Sequence, residues 1–150
     1  MVVYTHFTFN NIMTWITNRL VVVPLDMSEF SMKALEAARE MVETTSNIRI
    51  LHVLPSLDGP EIIDREQQTR AAMSAFLQEH GYEKLDITVK VGDPVKQITE
   101  FAENIDAGLI VIPSHGRGVL TEMLLGSTTY SVVRRAKCPV LVLKEKRRGS

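Results

Sequence analysis

The chain has 150 residues, a formal net charge of −1, 45% hydrophobic residues and 23% charged ones. That is the size and make-up of one globular domain with a sizeable core, and the balanced charge calls for no nucleic-acid or membrane partner. No apolar run approaches the roughly 20 residues of a membrane span, and the single cysteine, Cys138, excludes an internal disulfide and fits a cytoplasmic setting.

Residues 1–18 carry no Lys, Arg, Asp or Glu and are rich in aromatic and β-branched side chains. They lack the basic start and small-residue cleavage site of a secretory signal. They read as an N-terminal extension of uncertain order. An upstream start codon (with Met13 as an alternative start), a disordered segment, or an extra strand or dimer contact each account for them. A domain over 19–144 follows, and 145–150 form a charged, solvated tail.

Arg19 to Leu25 predicts a first buried strand, with Leu20, Val21, Val22 and Val23 continuous. Such β-branched runs suit a sheet covered on both faces. Asp26 and Ser28 can cap the helix that follows, where Ala34, Ala38, Met41 and Val42 recur at helical spacing. Ile48 to Leu54 predicts the second strand, residues 57–60 a turn-rich connection, and Glu61 to His80 a long helix ending at Gly81. Asp86 to Val91 alternates like a strand nearer the edge. Asp93 as N-cap and Pro94 at the first helical position open the next helix, with Val95, Ile98, Ala102 and Ile105 as its buried stripe. Leu109 to Ile112 is the fourth strand, Ser127 to Ala136 the last helix and Pro139 to Leu143 the last strand. Strands alternating with helices of this length predict an open, mostly parallel α/β sheet with helices on both faces.

Between the fourth strand and the last helix lies Pro113, then Ser114-His115-Gly116-Arg117-Gly118, and later Gly126-Ser127-Thr128. A buried strand, a glycine-containing loop and a hydroxyl-capped helix start can together hold an anion through free backbone N–H groups. An ordinary strand–loop–helix connection has the same features.

Ser114-His115-Gly116, nine residues, then Gly126-Ser127, and further on Cys138-Pro139-Val140-Leu141-Val142 resemble the universal stress protein family over about Arg19 to Lys144. Its nucleotide-binding members carry Gly, two residues, Gly, nine residues, Gly, then Ser or Thr. Gly116, Gly126 and Ser127 match that pattern, and Pro113 replaces the first glycine. The resemblance implies a Rossmann-like, five-stranded parallel sheet of order 3-2-1-4-5, whose order reverses between strands 1 and 4 and opens a crevice there.

The same resemblance implies an ATP-binding stress-response or signalling module, with nucleotide held between strands 1 and 4 and Mg²⁺ held mainly by its phosphates. Asp26, after Pro24 at the end of strand 1, would bond the ribose; helix capping is its other role, and one carboxylate can serve both. Val53 would meet the adenine through its backbone. The loop from Gly116 to Gly126, with the amides of Gly126, Ser127 and Thr128, would cradle the phosphates. Arg117 either pairs with a phosphate or is solvated. Pro113 has no N–H and fixes φ, so binding is expected to be retained but weakened. The alternative is a nucleotide-free homodimer acting through its surface. Under either reading the apolar last strand, Val140 to Leu143, is expected to pair with its twin.

Enzymatic activity stays open, at most weak ATP hydrolysis. His115 is either a general base or a residue that shapes the loop, and no second catalytic group sits at a fixed spacing from it. No Gly-Lys-Ser/Thr occurs, and the four histidines and Cys138 have no zinc-site spacing.

Overall fold

The computed structural model describes residues 18–56, 62–115 and 125–144. Five strands form one parallel sheet: β1 (Val21–Pro24), β2 (Ile48–Leu54), β3 (Asp86–Val91), β4 (Leu109–Pro113) and β5 (Val140–Leu143). Their order is β3-β2-β1-β4-β5, so the sheet reverses direction of growth between β1 and β4. Among the described residues four α-helices connect them: α1 (Glu29–Met41), α2 (Ile62–Glu79), α3 (Pro94–Asn104) and α4 (Ser127–Arg135).

Alternation along each strand divides the core between the two faces of the sheet. Val21, Val23, Ile50 and Val111 point to the face covered by Leu35 of α1 and Met73 and Leu77 of α2. Val22, Leu51, Ile110 and Ile112 point to the other, against Ile98 of α3 and Val132 of α4. Helices on both faces explain why β1 and β4 read as unbroken apolar runs: nearly every side chain in them is buried.

The first strand is shorter than 19–25, running Val21–Pro24, because Leu25 already leaves the β1 register while still donating its N–H to Leu51. The last strand begins at Val140 rather than Pro139, and the last helix ends at Arg135. At the end of α2, Gly81 takes φ 82°, the left-handed conformation that glycine adopts without penalty, and Tyr82 N bonds back to Leu77 O at 2.8 Å. The expectations for residues 1–17, 57–61 and 145–150 fall outside the described residues. Among the described residues no helix is long and apolar enough to cross a membrane.

Candidate functional site

At the reversal point the chain leaves β1 and β4 side by side, and a cavity of about 210 Å³ opens there. Pro24 and Asp26 from the β1 exit, Val53 from β2, Pro113 from β4 and Thr128 from α4 all line it. Residues more than a hundred positions apart thus share one concave surface because the topology brings their strand exits together.

The β1 exit is a tight turn. The Asp26 carboxylate accepts the Ser28 N–H at 3.0 Å, and the Asp26 N–H donates to Ser31 Oγ at 3.3 Å. Ser28 is the N-cap of α1, with its hydroxyl accepting from Ser31 N at 3.2 Å. Asp26 therefore organises the turn that precedes the cap. Met27 between them has φ 61°, which a non-glycine side chain seldom adopts.

The β4 exit is knitted to its neighbours through Ser114, only 2% exposed. Its N–H donates to Leu143 O and its carbonyl accepts from Gly126 N, both at 2.7 Å. Its hydroxyl lies 2.9 Å from His115 Nδ1, and the His115 ring packs on Phe30 with centroids 4.9 Å apart. Neither Ser114 nor His115 is among the residues lining the cavity. Gly126 has ordinary backbone angles; its lack of a side chain serves close approach. A Cβ there would stand 3.3 Å from Ser114 O and 3.4 Å from His115 Cα.

The expected hydroxyl cap on the last helix is not formed. Gly126 occupies the N-cap position, with no side-chain cap, and Ser127 is already the first helical residue. The first backbone bond of α4 runs from Tyr130 N to Gly126 O, so the amides of Ser127, Thr128 and Thr129 have no i−4 acceptor within the helix. Thr129 instead turns its hydroxyl inward, donating to Pro113 O at 2.9 Å. Gly116 and Arg117 lie outside the described residues.

The cavity also recruits Leu25, Ser31, Leu51, His52, Pro94 and Ile98, which no local motif marks. His52 and Pro94 reach it from β2 and from the start of α3, positions that only the strand order makes adjacent. Among the described residues no cluster of three potential metal ligands occurs. Cys138 packs against the core on the α3/α4 face, where burial, helped by the Asp106 carboxylate, pushes its thiol above the ordinary range.

A parallel sheet of this order with a crevice at its reversal defines a Rossmann-like α/β protein. The family model described as "Universal stress protein family" matches residues 17–144. Universal stress protein MJ0531 of Methanocaldococcus jannaschii is 30% identical over 138 residues, covering 83% of this chain and 81% of that protein. The solved structure of MJ0577, from the same organism, superposes with a TM-score of 0.69 at 26% identity, covering 87% of this chain and 99% of that one. A universal stress protein solved in complex with cAMP has the same fold, with a TM-score of 0.61 at 23% identity over 83% of this chain and 96% of that one. The chain belongs to the universal stress protein family, a family of stress-response proteins.

Proposed function

We propose that the protein binds ATP in the crevice between β1 and β4 and acts as a small stress-response or signalling module whose nucleotide state a partner reads. The observation that carries this reading is the convergence of Pro24, Asp26, Val53, Pro113 and Thr128 on one cavity. The described walls enclose about 210 Å³, less than the roughly 300 Å³ at the small end of ligand pockets. The base and ribose therefore occupy the cavity while the phosphates extend beyond it, over the amides of Gly126, Ser127 and Thr128.

In this reading Asp26 accepts from the ribose hydroxyls and the Val53 backbone meets the adenine. Gly116 and Arg117, with Ser114 and His115 shaping the approach, complete the phosphate loop. Mg²⁺, where present, is held mainly by the phosphates. Pro113, which lines the cavity, weakens binding without abolishing it, because it supplies no N–H there. Calorimetric titration with Mg-ATP tests this. Binding that tightens in Pro113→Gly supports it; absence of heat from both forms rejects it.

The alternative reading is a nucleotide-free homodimer acting through its surface, and both readings include dimerisation through β5. β5 is an edge strand of four half-buried apolar residues, Val140 to Leu143, with one side left unpaired by the described sheet. A twin strand from a second copy would cover it. Dimerisation fits both readings, and the nucleotide measurement separates a loaded dimer from an empty one. No catalytic residue is proposed, and any ATP hydrolysis is slow.

A further inference from the structure

We infer that His52 is a positioning residue, whose imidazole holds the strained turn that presents Asp26 to the crevice. This rests on the nucleotide-binding reading of that crevice. His52 sits on β2, one residue before Val53, and lines the cavity. It also borders a wider groove of about 530 Å³ with Met27, Arg65 and Thr69, so this residue is shared by the two spaces.

The ring is bonded to the β1 exit: Nδ1 lies 2.7 Å from the carbonyl oxygen of Leu25. A carbonyl only accepts, so Nδ1 carries the proton and donates. The Leu25 N–H in turn donates to Leu51 O at 2.9 Å. Both polar groups of Leu25 are thereby tied to β2, one residue past the end of β1. The next residue is Asp26, and after it comes Met27 at φ 61°. Left-handed backbone at a side-chain-bearing residue persists only where its surroundings over-determine it. Ser28 and Ser31 supply local bonds to this turn. His52 anchors it from 27 residues away, on the neighbouring strand.

The consequence is a division of labour in which Asp26 meets the ligand and His52 fixes where it stands. The test uses the full chain with His52→Leu, which removes the donor, and His52→Asn, whose side-chain amide can occupy the place of Nδ1. Amide hydrogen exchange is followed at Asp26 and Ser28 without nucleotide, with Val111 in the buried β4 as a control for folding. Mg-ATP affinity is then measured by calorimetry. The expected result for His52→Leu is exchange about tenfold faster at Asp26 and Ser28, unchanged exchange at Val111 and about tenfold weaker Mg-ATP binding, with His52→Asn restoring both. In a Met27→Gly background, where the left-handed penalty is gone, the effect of His52→Leu on exchange shrinks to less than about twofold.

Wild-type exchange at Asp26 and Ser28 in His52→Leu overturns the inference, as does failure of His52→Asn to rescue. If His52→Leu raises exchange at Val111 as well, the Asn variant alone decides. If wild-type protein binds no Mg-ATP, the nucleotide reading falls, and the exchange data still decide whether His52 holds the turn.

Discussion

The Thr129 hydroxyl donates to the Pro113 carbonyl across 2.9 Å, fastening the first turn of α4 to the last residue of β4. Both residues are buried where they border the crevice. It also engages the carbonyl of a residue that, as proline, has no N–H to offer. Residue 113 is thus committed to structure from both sides, and α4 is held at a fixed height above the crevice.

Removing that hydroxyl should be costly. Thr129→Val keeps the shape and leaves the Pro113 carbonyl without this donor, and a buried unsatisfied acceptor costs about 1–3 kcal/mol. Urea unfolding is expected to show a loss in that range for Thr129→Val and recovery in Thr129→Ser. Wild-type stability of the valine variant would mean that the bond contributes little.

Gly126→Ala should destabilise by about 1 kcal/mol through overpacking, because its Cβ would press on Ser114 O, a backbone atom that cannot rotate away. Thermal denaturation reads this directly. A neutral or stabilising effect would show that the β4 exit yields. The glycine therefore has a packing reason to be there, independent of any phosphate.

Much of this architecture is legible from the residues alone. Ile48–Leu54 and Asp86–Val91 begin and end as their patterns predict, because Pro55 and Gly92 bound them sharply. Asp93 and Pro94 open α3 as expected, with the Asp93 carboxylate accepting from Lys96 N at 2.8 Å. The strand order follows from the family resemblance rather than from any periodicity. The start of α4 misleads, since three hydroxyl residues in a row look like a cap. The close packing of Ser114 against the backbone at 126 favours a glycine at the cap position, and the hydroxyls fall inside the helix. Nothing local to His52 or Pro94 marks them as crevice residues. Their role depends on which strands and helices the fold makes neighbours.

Cys138 makes stability depend on alkaline pH. Burial raises its thiol above the ordinary value, and Asp106 acts in the same direction. The folded state thus holds this proton more tightly than the unfolded chain. The associated stability is full below the unfolded value of about 8.5 and is lost as pH rises through the folded one. Tyr82 is also raised, by burial first and the Glu36 carboxylate second, and contributes in the same sense at higher pH. Cys138→Ala should flatten the fall in urea midpoint between about pH 8 and pH 10. An unchanged slope would remove Cys138 from the account.

The edge of the sheet makes a separate prediction. If β5 pairs with its twin, a charge at Val142 in the centre of that seam should block pairing. Val142→Glu is expected to sediment as a monomer while still unfolding cooperatively. A dimer that persists in this variant would rule out the β5 interface.

The most direct test of the central proposal is the nucleotide content of the purified protein, read by denaturing it and chromatographing the supernatant. Binding in the β1–β4 crevice predicts adenine nucleotide recovered in stoichiometric amount, and its loss in Asp26→Ala. No nucleotide recovered, together with no binding heat at ~1 mM Mg-ATP, would contradict it and leave the surface-acting dimer.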